Sequence, residues 1–397
     1  MRPQTQVWKV ERPSRLQKIL IIMKINSITF KNHKSGWNIS NLKLDNNLSL
    51  LVGASGVGKT QILRSISCIS DIARGKSFNG IDWDIEFSIA GDSYKWEGEF
   101  AFVDSEDAPF QLLRMEQGKY PIIKEILNIN GDNIIKRDSS KLLYKNQETV
   151  KLDNSISVIE LLKEETLVSL VNEAFRGIYS IATDVSSIIN LPVIASAQND
   201  KTMGIDDIRK QQFLPPIDRL FLLKKNDLKE FDIVCDSFKR IFPLIDDIDF
   251  SVGSLGKLFE NQTFPIVKIK EKGVDSWIMQ SDISSGMFRT LAQIITFVLA
   301  KDGDIILIDE FENGLGVNCI DQLADLVVDS DVDVQVIMTS HHPYIINAIP
   351  YSSWKIVTRK NCTVNVHTAE ELNIGDHSRH DAFIQLIQSS AYKTGIA

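Results

Sequence analysis

Only four cysteines occur in 397 residues, Cys68, Cys235, Cys319 and Cys362, and none forms a CxxC pair. Their spacing indicates neither a disulfide framework nor a zinc site, and a reducing cytoplasm fits best. Basic charge is short as well. The 44 lysines and arginines face 52 aspartates and glutamates, a net charge of -8, which argues against a chain coated in cations for nucleic acid and leaves open only a local patch. No segment approaches the roughly eighteen continuous apolar residues of a membrane span. The longest, residues 294–300, predicts a buried helix. Behind Arg2, Lys9, Arg12, Arg15 and Lys18, the apolar run at 19–22 is too short for a signal-peptide core and no cleavage site follows it. Internal repeats, low-complexity tracts and a sustained heptad pattern are also missing.

What is present is ordinary globular composition, 43% hydrophobic and 24% charged, with ample material for a core. The length suggests one large domain with an insertion, or two lobes. Residues 23–30 read as a first strand, so residues 1–22 are expected to be a peripheral extension. The stretch GASGVGKT at 53–60 follows the apolar run 48–52 and precedes a helical run at 61–69. This is the full G-x-x-x-x-G-K-[ST] spacing in a strand-to-helix context. Gly53, Gly56 and Gly58 permit backbone angles closed to other residues, so that N–H groups here and at Ser55 can turn toward a triphosphate. Lys59 is expected at the β- and γ-phosphates of ATP, and Thr60 on Mg²⁺.

That helix is expected to end near Arg74. Alternation on either side of Gly91-Asp92 predicts a hairpin over 83–102, and an Asn-Gly-Asp turn predicts another over 127–135, with Lys136 and Arg137 near a surface. A capping-box pattern at 157–160 opens a helix or helix pair through Leu167, Val171 and Phe175. From 183 to 260 the pattern is less regular, with Pro215-Pro216 and then a helix through Phe231, Val234 and Phe238.

At 281–289 the chain reads SDISSGMFR before another helical run, so Ser284 and Gly286 stand at a helix start suited to an anion. The strand-like 304–308 ends in Asp309 and Glu310. At a strand end the backbone turns, so Asp309 can meet Mg²⁺ while Glu310 faces an attacking water. Next come ENGLG at 312–316, a predicted helix, a strand at 334–339, and Ser340-His341-His342-Pro343. Either histidine could sense a γ-phosphate, and His341 is preferred because it directly follows the strand end. Asp376, His377, His380 and Asp381 read as solvated tail residues rather than a metal site.

The order of phosphate loop, Ser-Ser-Gly helix start, IDEFENGLG and TSHHP resembles ABC-type ATPases of the RecF/SMC/OLD-like class. Within that class it resembles especially the standalone prokaryotic ATPases of anti-phage systems such as Septu and PARIS. The resemblance covers residues 23–104 and 275–350 well. It implies a P-loop NTPase of ABC-head type, α/β, with an antiparallel side sheet and an inserted, mainly helical lobe. The halves are then 23–150 and 261–397, with the lobe at 151–260. It also implies ATP with Mg²⁺, Ser284 and Gly286 as the signature, Asp309 as the Mg²⁺ carboxylate, Glu310 as the catalytic base and His341 as the switch histidine. Two departures are visible: ISSGM replaces the LSGGQ of transporters, and Gly316 stands where the class often has a histidine. The implied partners are a second copy of the chain, a separate effector such as a nuclease, and DNA or a phage-encoded trigger. About fifty-five residues follow His341, fewer than the roughly hundred of a typical domain, so no effector domain is expected there. A RecF-like DNA-repair clamp and a slow ATP-gated scaffold are the alternative readings.

Overall fold

The computed structural model describes residues 21–45, 47–103, 119–181, 202–212, 214–254, 263–313, 315–316, 319, 323, 332–375 and 378–396. The chain begins with β1 (Met23–Asn32), β2 (Trp37–Lys43), β3 (Leu48–Val52) and α1 (Lys59–Ala73). A run of strands follows: β4 (Ile81–Ile89), β5 (Asp92–Phe100), β6 (Ile122–Ile129), β7 (Asp132–Arg137), β8 (Leu142–Tyr144) and β9 (Gln147–Glu148). Then come α2 (Val158–Leu161), α3 (Thr166–Arg176), β10 (Ile178–Ser180), α4 (Ile205–Arg209), α5 (Pro216–Lys225) and α6 (Lys229–Ile241). The last part holds β11 (Ile245–Ser254), β12 (Thr263–Glu271), β13 (Trp277–Met279), α7 (Ser285–Leu299), β14 (Ile305–Ile308) and β15 (Gln335–Thr339). It closes with α8 (Pro343–Ala348), β16 (Trp354–Lys360), β17 (Thr363–Thr368), α9 (Arg379–Gln388) and α10 (Ser390–Thr394).

Fourteen strands form one sheet, in the order β10-β14-β15-β3-β16-β17-β2-β1-β4-β5-β6-β7-β8-β9. The first five run parallel, and β1 through β9 on the other side pair antiparallel. The parallel strands are short and apolar because helices cover both faces. Side chains alternate between those faces. Leu50, Ile306, Ile308 and Met338 enter one core with Leu220, Phe238 and Ile294 of α5, α6 and α7. Their neighbours Leu51, Leu307 and Ile337 enter the opposite core with Ile62 and Ile66 of α1 and Phe175 of α3. The nucleotide-type loop at 53–60 and the acidic pair at 309–310 therefore both emerge at the carboxyl ends of this layer, where open parallel sheets place their ligand crevices.

Both expected hairpins form, as β4–β5 and β6–β7. Arg137 departs from the sequence reading. Successive residues of β7 face opposite ways, so Lys136 is exposed while Arg137 is buried and lies 3.3 Å from the fully buried Glu125. Glu125 also accepts hydrogen bonds from Trp96 Nε1 at 3.1 Å, Ser157 Oγ at 2.6 Å and Val158 N at 3.0 Å. The capping box at Ser157 forms only in part. Ser157 caps α2, whereas Glu160 turns to Asn172 and Arg176.

In the stretch expected as a lobe, α2 and α3 lie beside α1, β10 joins the edge of the main sheet, and β11 pairs with β12, beyond the stretch, in a small antiparallel sheet that β13 completes. The apolar run at 294–300 lies in α7 up to Leu299 and is buried nearly throughout. Among the described residues no helix is long and apolar enough to cross a membrane. Residues 1–20 of the expected 1–22 extension, the helix after Gly316 apart from Cys319 and Leu323, and Asp376 with His377 lie outside the described residues.

Candidate active site

Three glycines give the loop at 53–60 its path. Gly53, Gly56 and Gly58 have φ of 146°, 82° and 109°, a region that side chains rarely tolerate. A Cβ on Gly58 would stand 2.8 Å from the Trp37 ring, and one on Gly53 would stand 2.5 Å from the Val357 carbonyl oxygen. The loop is thus pressed between β2 and β16. Lys59 folds back across it, donating to the carbonyls of Gly53 at 2.8 Å and Ala54 at 2.9 Å. Burial pushes the Lys59 ammonium down to about 8, against the pull of Asp309, Glu310 and Glu312.

One oxygen ties the two motifs together. Oδ1 of Asp309 accepts from Thr60 Oγ1 at 3.2 Å and from Thr339 Oγ1 at 2.8 Å. The Thr339 hydroxyl in turn accepts the Glu310 backbone N–H at 2.7 Å. Glu310 is exposed and left-handed, with φ 49°, and its Oε2 accepts from Asn313 Nδ2 at 3.1 Å. His341 donates its backbone N–H to Glu312 at 2.6 Å. Its imidazole is held below the ordinary histidine range, first by burial and then by the nearby Lys59 charge.

These groups surround one cleft of about 270 Å³, lined by Trp37, Ser55, Gly56, Gly58, Lys59, Thr60, Gln61, Asp309, Glu310, Thr339 and His341. His342 is not among the lining residues. It directly precedes α8 without a side-chain bond to it, and its Nδ1 is buried without a partner among the described residues. Ser284 and Gly286 lie apart from the cleft: Ser284 caps α7 by accepting from Met287 N at 3.2 Å, and the Gly286 carbonyl accepts from Thr290. Among the described residues no group of three or more His, Cys, Asp or Glu is arranged to hold a metal ion, and Asp381 bonds Ser378 at the start of α9. The converging oxygens of Thr60 and Asp309 suit a small hard cation that keeps most of its coordination for phosphate and water, as Mg²⁺ does.

Sequence reasoning missed Trp37, Thr339 and Arg359. The Arg359 guanidinium stacks 4.5 Å over the Trp37 ring and donates to the Gly56 carbonyl at 3.3 Å. Thr339 carried a signal, being a polar residue that ends a strand otherwise apolar after Gln335. Nothing local marks Trp37 or Arg359, because only the pairing of β16, β17 and β2 brings them to the loop.

Residues 48–347 match the protein family described as "AAA domain, putative AbiEii toxin, Type IV TA system". The span holds every residue lining the cleft except Trp37. The chain belongs to this AAA-domain family. Its parallel core, antiparallel side sheet and motif-bearing strand ends fit the P-loop ATPase fold of ABC-head type that the sequence resemblance implied. No curated protein matches the chain.

Among solved structures, an Smc head bound to the C-winged helix domain of ScpA is 15% identical, with 87% of this chain and 97% of that chain covered at a TM-score of 0.42. The SMC head domain of Thermotoga maritima is 13% identical, covering 87% and 98% at 0.41. A Pyrococcus furiosus Smc head with an extended coiled coil, bound to the C-terminal domain of ScpA, is 13% identical, covering 89% and 98% at 0.43.

Proposed function

We propose that this AAA-domain protein binds and hydrolyses ATP, and that paired heads use the cycle to control a separate effector in an anti-phage or toxin–antitoxin system. The observation that carries the ATPase reading is the Thr339 hydroxyl. It joins Asp309 to the Glu310 backbone beside Lys59, Thr60 and His341. In this reading the loop N–H groups and Lys59 hold the triphosphate. Thr60 and Asp309 would hold Mg²⁺, which would supply positive charge to offset that of the phosphates. Glu310 takes the proton of the attacking water. His341, kept neutral at physiological pH by its lowered pKa, donates one hydrogen bond toward the γ-phosphate without adding a charge.

Ser284 and Gly286 begin a fifteen-residue helix outside the cleft, and the reading assigns them to the phosphates bound by a second copy. The regulatory role is supported by the family's description, which names a toxin and a toxin–antitoxin system, and by the sequence resemblance to standalone defence ATPases.

The test is mass in solution with ATP. Glu310→Gln should bind ATP, turn it over at least about a hundredfold more slowly, and accumulate as a dimer or larger assembly. A Glu310→Gln chain that stays monomeric at saturating ATP would sink the pairing, and one with wild-type turnover would sink the catalytic assignment.

A further inference from the structure

Among the residues that line the cleft, Glu310 is the one non-glycine in the left-handed region, at φ 49°. Such a conformation costs on the order of 1–3 kcal/mol and persists only where its surroundings over-determine it. The segment that follows Glu310 is held from two sides. On the β15 side, Glu310 N and Phe311 N donate to the side chain and carbonyl of Thr339 at 2.7 and 3.0 Å, and Glu312 accepts from His341 N. On the other side stands α7. Arg289 Nη1 donates to the Asn313 carbonyl at 2.7 Å, and Gln293 Nε2 approaches the Phe311 carbonyl at 3.5 Å.

Arg289 and Gln293 are four residues apart and so share one face of α7. Asn313 then completes the path, since its Nδ2 reaches the Glu310 carboxylate at 3.1 Å. The guanidinium of Arg289 makes no ion pair among the described residues, and its Nε is buried without a partner. Among the described residues, its one directed bond is to this loop.

We propose that Arg289 is a positioning residue that sets the Glu310 carboxylate through Asn313, so that α7 is mechanically joined to the cleft of its own chain. Ser284 and Gly286 stand in or beside the first turn of the same helix, and Arg289 lies about 7.5 Å along the axis from Ser284 at ~1.5 Å per residue. A shift of the α7 start is therefore delivered to the carboxylate by two hydrogen bonds. Contact made there by a second copy thereby alters the water-activating group of the contacting chain, not only that of its partner. The inference rests on the ATPase reading above.

The experiment is steady-state ATPase kinetics on the full chain for Arg289→Ala, Asn313→Ala and the double variant, with nucleotide affinity and urea unfolding measured in parallel. Each single variant should lower kcat about tenfold to a hundredfold, with nucleotide affinity and unfolding midpoint near wild type. The double variant should be no worse than either single one, since the two residues act as one unit. Added guanidinium ion should restore part of the activity of Arg289→Ala and none of that of Asn313→Ala. Wild-type kcat in Arg289→Ala overturns the inference, and so does a loss of nucleotide affinity and stability in step with kcat, or an additive double variant. A wild-type chain that turns over no ATP overturns the ATPase reading instead.

Discussion

Replacing Thr339 with valine removes one hydroxyl on which both acidic residues depend. Thr339 is 1% exposed, so water cannot readily take its place. The Glu310 N–H, bonded at 2.7 Å, loses its acceptor, at a cost of about 1–3 kcal/mol. Asp309 loses a donor at 2.8 Å but keeps Thr60 at 3.2 Å, and as it is half-buried the loss there is about 1 kcal/mol or less. The added methyl returns about 0.8 kcal/mol of apolar burial. The net expected loss is about 2 kcal/mol.

That figure matches the roughly 1–3 kcal/mol needed to hold a left-handed non-glycine residue, so Glu310 should relax out of φ 49° and carry its carboxylate away from the attacking water. Turnover should then fall about a hundredfold, the scale expected for an ångström of misplacement. Urea unfolding reads the first effect and steady-state ATPase kinetics the second. Thr339→Ser, which keeps the hydroxyl, should recover most of the turnover. A valine variant with the wild-type unfolding midpoint and wild-type kcat would refute the reasoning.

Arg137→Ala should destabilise the fold by about 3–5 kcal/mol, because it leaves the fully buried Glu125 without its counter-charge. Burial raises the Glu125 pKa. A carboxyl raised on folding favours the native state below its unfolded pKa and loses that contribution as pH rises through the folded one. The deficit in urea unfolding should therefore be larger at pH 8 than at pH 5, and a pH-independent deficit would contradict it. In kcat/KM against pH, the alkaline limb should fall near pH 8, where Lys59, lowered to about 8 by burial, loses its ammonium. The acid limb should lie below the ordinary histidine value because His341 is depressed. Lys59→Arg should abolish the alkaline limb, and a wild-type profile flat through pH 9 would exclude Lys59 as its source.

Motifs that depend on neighbours along the chain were readable directly. Lys59 and Thr60 follow a strand and open a helix, and Asp309 and Glu310 end another strand. Local alternation and turn residues were enough to place those ends. The β4–β5 and β6–β7 hairpins were legible for the same reason, as their turns lie within the sequence that pairs. The preference for His341 over His342 came from position alone; His341 lines the cleft and His342 does not.

Partners distant in the chain were not readable. Even a near partner can be hidden: Arg137 looked like a surface charge although Glu125 pairs with it directly across the β6–β7 hairpin, because the start of α2 at Ser157 and Val158, which packs on that pair, comes later in the chain. Trp37 and Arg359 are more than three hundred residues apart, yet strand pairing stacks them beside Gly56 and Gly58.

The groups gathered in the cleft were thus determined by sequence, because the loop takes its path from glycines at set spacing and the acidic pair ends an apolar strand. What tertiary structure decided is how those groups are held. Thr339, Asn313 and Arg289 act across gaps that only packed strands and α7 can close, since hydrogen bonds form at about 3 Å whatever the separation along the chain.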